Sequence, residues 1–62
     1  MTYDVFNETV GTLSSHQTLN NAIKSANRLS RKMGIRFAIF ENSGNPASQK
    51  LVKWVFPKKD YK

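Results

Sequence analysis

The sequence predicts a small α+β domain: an antiparallel sheet of three to four strands with one amphipathic helix on one face, in ββαββ or βαββ order. Three observations carry this expectation. Only one stretch, residues 18–33, repeats its apolar residues at helical spacing. Short runs rich in aromatic and β-branched residues flank it on both sides. Glycine, asparagine and serine clusters separate those runs and mark turns.

Residues 3–7 read as a strand, because Tyr3 and Val5 alternate with Asp4 and Phe6. Asn7, Glu8, Thr9, Val10 and Gly11 read as a turn, with Gly11 free to take positive φ. Residues 12–14 are a short second strand that completes a hairpin. The helix spans residues 18–33, with Leu19, Ala22, Ile23, Ala26, Leu29, Ser30 and Met33 on one face. Thr18 suits an N-cap, since its hydroxyl accepts from an orphan amide of the first turn. Gly34 suits a left-handed stop, and Arg31 and Lys32 lie where the helix dipole favours positive charge. Residues 35–41 form the next strand, residues 41–48 a loop, and residues 51–56 the last strand, closed by Pro57.

This organisation gives a single α+β domain over residues 1–57 and a basic tail at 58–62. A chain of this size buries only about 60% of the surface that its unfolded form exposes, so its core is small. There is no cysteine, which excludes disulfides and thiolate metal sites. One histidine and four scattered carboxylates supply no metal set, and no cofactor is expected. No apolar run approaches the roughly 20 residues of a membrane span, and the start lacks signal-peptide character, so the expectation is a soluble cytoplasmic protein without a membrane partner.

Both faces of the central strands look apolar. Phe37 and Ile39 point one way, Ala38 and Phe40 the other; in the last strand Leu51, Lys53 and Val55 oppose Val52, Trp54 and Phe56. A single helix leaves one of these faces uncovered. Such a face marks an interface, and a homodimer formed through it would also enlarge the core.

The charge distribution carries the functional expectation. The net charge is +6, and no acid lies between Glu8 and Glu41, a stretch that holds Lys24, Arg28, Arg31, Lys32 and Arg36. At 100° per residue, Lys24, Arg28 and Arg31 fall within about one-sixth of the helix circumference, with Lys32 adjacent and Asn20 and Asn27 on the same side. A basic strip without interspersed acids attracts polyanions. The expected function is phosphate contact in DNA or RNA through Lys24, Arg28, Arg31, Lys32 and Arg36. The competing reading of the strip is a solvated helix face that keeps the protein soluble.

A second group, Lys50, Lys53, Trp54, Phe56, Lys58 and Lys59, interleaves aromatics with lysines, a pattern suited to stacking on unpaired bases. The default placement of Trp54 and Phe56 is nevertheless inside, because large aromatics dominate small cores. The other functional class is a protein-binding inhibitor or adaptor, of the kind encoded by phages and mobile elements. It would dock on an acidic protein surface through Phe40, Lys53, Trp54 and Phe56. Catalysis is not expected. His16 follows Ser14 and Ser15, but neighbouring positions seldom give nucleophile–base geometry and no acid is placed to orient the ring.

Overall fold

Asn7 sits at the turn of the first hairpin and holds it in shape. Its side-chain oxygen accepts from the backbone N–H groups of Thr9 (2.7 Å) and Val10 (3.2 Å). Gly11 takes φ 81 and completes the turn. The computed structural model describes residues 1–44 and 49–57; residues 45–48 of the 41–48 loop, and the tail at 58–62 with Lys58 and Lys59, lie outside the described residues. The order is β1 (Thr2–Asn7), β2 (Gly11–His16), α1 (Leu19–Met33), β3 (Phe37–Asn42) and β4 (Lys50–Val55). The ββαββ order is therefore the correct one of the two expected. All four strands form one antiparallel sheet in the order β2-β1-β3-β4.

β2 is longer than its sequence suggests. Ser14, Ser15 and His16 have little strand preference of their own, but they pair with Val5, Asp4 and Tyr3. Ladder bonds to β1 thus override local propensity. The helix follows its expected bounds closely. Thr18 accepts from the Asn21 amide at 3.3 Å, and Gly34 adopts φ 70 as the left-handed stop. β3 starts at Phe37 rather than at residue 35, because residues 34 and 35 belong to the helix exit: the Gly34 amide donates to the Ser30 carbonyl, and the Ser30 hydroxyl donates to the Ile35 carbonyl at 2.7 Å. β3 runs on through Asn42, whose side chain accepts from the Gly44 amide.

The helix covers the sheet face that carries Val5, Phe37, Ile39 and Val55, and Ala22 and Ala26 close over them. Tyr3, Leu19, Ile23, Leu29 and Ile35 pack around this centre. Two alanines at the crossing let the helix approach the sheet closely, and each buried Phe, Ile or Val side chain contributes about 1.5–3 kcal/mol.

On the opposite face, Phe6, Ala38, Phe40 and Trp54 have no helix or strand packed over them among the described residues. Phe6 and Phe40 meet edge to face at 5.8 Å and 71°. Ala38 pairs with Phe6 on one side and Trp54 on the other, and is fully buried between them.

Two bulges interrupt the alternation. Val5 pairs with Ser14 but Phe6 with Thr12, leaving Leu13 unmatched in β2. Ile39 pairs with Lys53 but Phe40 with Leu51, leaving Val52 unmatched in β4. The second bulge corrects the expected alternation of the last strand: Leu51 shares the Phe40 face with Trp54, whereas Lys53 lies on the helix side beside Ile39 and Val55.

Asn7 is a buried polar residue, 4% exposed, and its side-chain nitrogen also donates to the Arg36 carbonyl at 2.7 Å. It therefore ties the first hairpin to the entry of β3. Asn7→Ala leaves that carbonyl and two turn amides without their partner, and should lower stability by about 2–3 kcal/mol. Urea unfolding followed by far-UV circular dichroism measures the loss; a variant within about 0.5 kcal/mol of the parent would contradict this role.

Candidate nucleic-acid interface

The amphipathic packing of α1 determines where its charges go. With Ala22, Ala26 and Ser30 turned to the sheet, Lys24, Arg28, Arg31 and Lys32 are on the exposed side. The four line one open groove, together with Asn27 and with Phe56 from the end of β4. Among the described residues none of these four cations has an acidic partner; the ion pair there is Arg36–Glu8. Asp4 accepts from the Ser15 hydroxyl at 2.6 Å, and Glu41 is opposite Lys50 across the β3–β4 ladder.

Arg36 does not join the ridge. It has the strand parity of Ala38 and Phe40 and therefore belongs to the open sheet face. Its guanidinium donates to the Glu8 carboxylate at 3.0 Å and lies over the Trp54 ring, 4.8 Å from the centroid. Such cation–π contacts are worth about 0.5–1 kcal/mol at exposed sites. Arg36 braces the Trp54 face of the molecule and is already partly neutralised.

The second set of sequence-selected residues is also divided. Phe40 and Trp54 share the open face, whereas Lys53 is on the helix side. The expectation that Trp54 and Phe56 form the core is corrected: Val55, between them, takes the buried position under the helix, while Trp54 is 38% and Phe56 61% exposed. Phe56 lies past the end of β4, its ring stacked on Trp54 with centroids 6.4 Å apart and planes 25° apart. It also lines the basic groove. One aromatic side chain thus joins the helix ridge to the open sheet face, which the strand pattern alone keeps apart.

A second hollow lies on the β2 side of the ridge, bordered by Leu13, Ser14, His16 and Ser25 and by the same Lys24 and Arg28. His16 Nε2 is 3.1 Å from Ser14 Oγ, which is 3.0 Å from Ser25 Oγ. Residues two apart on a strand share a face, so Ser14 and His16 do meet, although closeness in sequence argues against it. Neither Asp nor Glu is bonded to the ring among the described residues, and three or more metal-ligating side chains do not gather anywhere among them.

Comparisons with protein-family models, curated proteins and solved structures return no match to this chain. No helix among the described residues is long and apolar enough to cross a membrane.

The Glu8 carboxyl is held below the ordinary glutamate range, first by a hydrogen bond from its own backbone amide and then by the Arg36 guanidinium. A carboxylate whose pKa is depressed by folding stabilises the protein above its unfolded pKa, and that stabilisation is lost as pH falls through the folded value. The effect on stability is slight, because the Arg36 and Glu8 side chains are 50% and 55% exposed. Its visible consequence is at Trp54. Acidification should release Arg36 and change Trp54 emission below the usual glutamate range, and Glu8→Gln should remove that transition. A fluorescence pH titration of both proteins checks this, and identical curves would contradict it.

Proposed function

We propose that this protein is a small basic nucleic-acid-binding protein, without catalytic activity, that contacts phosphates through the exposed ridge of α1. Arg28 and Arg31 form the centre of the contact, with Lys24 and Lys32 beside them. The observation that carries this reading is the convergence of four cations on one groove with no acid among the described residues to neutralise them. Arginine binds two phosphate oxygens at once and lysine acts as a point charge, so the mixture suits a phosphate backbone. Arg36 stands outside this contact, because Glu8 and Trp54 occupy its guanidinium.

A protein partner with an acidic surface is the competing reading. The open face around Phe40 and Trp54 favours it, since exposed aromatics serve as anchors in protein interfaces. The two differ in what survives nuclease treatment. A partner retained at fixed stoichiometry after nuclease digestion, together with no affinity for nucleic acid, would replace the present reading.

Fluorescence anisotropy against labelled duplex, single-stranded DNA and RNA tests the ridge directly. Each neutralised phosphate contributes about −0.7 to −0.9 to the slope of log K against log salt, so four engaged cations predict a slope of about −3. The Arg28→Glu, Arg31→Glu double variant should keep its circular dichroism spectrum and bind at least about 100-fold more weakly, the scale expected when two charge-assisted hydrogen bonds to phosphate are removed. Unchanged affinity in the folded double variant would remove the proposal.

A further inference from the structure

We infer that the groove takes single-stranded nucleic acid in preference to duplex, with one unpaired base stacked on Phe56 while the flanking phosphates lie on Arg28 and Arg31. The inference rests on the phosphate reading above and adds what the ligand must be.

A ridge of cations by itself does not distinguish strands, because both duplex and single strands present phosphates. The groove wall does distinguish them. Phe56 is 61% exposed, an unfavourable position for a large apolar ring, and it faces the same groove as Lys24, Asn27, Arg28, Arg31 and Lys32. Bases in a duplex are stacked on one another and cannot offer a face to such a ring. An unpaired base can, and base–aromatic stacking tolerates any sequence. Asn27 adds a neutral donor and acceptor within the groove, able to meet the edge of an unpaired base as well as a phosphate.

The ring is also supported from behind. Phe56 stacks on Trp54, and Trp54 lies under the Arg36 guanidinium, which Glu8 holds. This column runs from the ion pair through two rings to the groove. It restrains the Phe56 ring before a ligand arrives, which lowers the ordering cost of binding. The role of Arg36 in nucleic-acid recognition is then to position the platform, not to contact phosphate.

The test compares anisotropy of labelled oligo(dT), twelve nucleotides long, with a labelled duplex of mixed sequence at one salt concentration. The wild-type protein should bind the oligonucleotide more tightly. Phe56→Ala and Phe56→Leu should weaken oligonucleotide binding by roughly 5- to 150-fold, the size of one missing base–aromatic stack, and change duplex binding less than about twofold. Phe56→Trp should restore the single-strand preference and show quenched emission on adding oligo(dT), a signal that a merely structural role would not produce. Thermal melts confirm that each variant folds.

Equal losses on both ligands, no loss in Phe56→Ala, or full retention in Phe56→Leu would overturn the stacking inference. If Arg28→Glu, Arg31→Glu still abolishes binding in that case, the phosphate reading stands without it. Failure of the wild-type protein to bind either ligand overturns both.

Discussion

One helix can cover only one face of a four-stranded sheet, and this geometric limit shapes the whole molecule. α1 closes over Val5, Phe37, Ile39 and Val55 and thereby uses up the apolar stripe it carries. Its other side must face water, so every cation on that side projects outward. Among the described residues no element covers the sheet's second face, and Phe6, Ala38, Phe40 and Trp54 pack among themselves there. A cationic ridge and an aromatic face are two results of one helix packing on one side of one sheet. In a domain this small, side chains that a larger protein would bury remain available for contact.

The Asn7 and Ser30 side chains show how a thin core is kept ordered. Each is almost fully buried, and each bonds backbone groups at a connection: Asn7 spans the first turn and the entry of β3, while Ser30 holds the exit of the helix at Ile35. Left unpaired, each such buried polar group would cost about 1–3 kcal/mol, comparable to the gain from burying one apolar side chain. Paired, they fix the angle at which β3 leaves the helix, and with it the position of Arg36 on the open face. The sequence shows neither tie, because both depend on contacts that form only once the sheet is assembled.

Much of the fold is nevertheless legible in the sequence. The helix bounds follow from the spacing of Leu19 to Met33, the Thr18 cap and Gly34, all of which act within a few residues of one another. The first turn follows from Asn7 and Gly11 for the same reason. What local patterns miss is set across strands. β2 extends to His16 because β1 pairs with it, and Leu51 changes faces because Val52 is an extra residue in the ladder. The candidate site divides along the same line. Lys24, Arg28, Arg31 and Lys32 are visible as one helical strip. Closeness in sequence groups Arg36 with them, although its parity with Ala38 and Phe40 assigns it to the sheet. Glu8 as its partner requires the antiparallel β1–β3 register, which sets Phe6 opposite Ala38 and so brings Glu8, two residues after the one, beside Arg36, two residues before the other.

The two bulges have a consequence for how the molecule behaves in company. β2 and β4 are the outer strands, and each contains one residue without a counterpart in its neighbour: Leu13 in one, Val52 in the other. An extra residue bends and twists its strand, so neither rim of the sheet presents a flat row of amides and carbonyls. Lys50 and Lys53 add like charges along the β4 rim, which repel a second copy laid alongside. A rim interrupted in this way is a poorer template for strand-to-strand growth than a regular one.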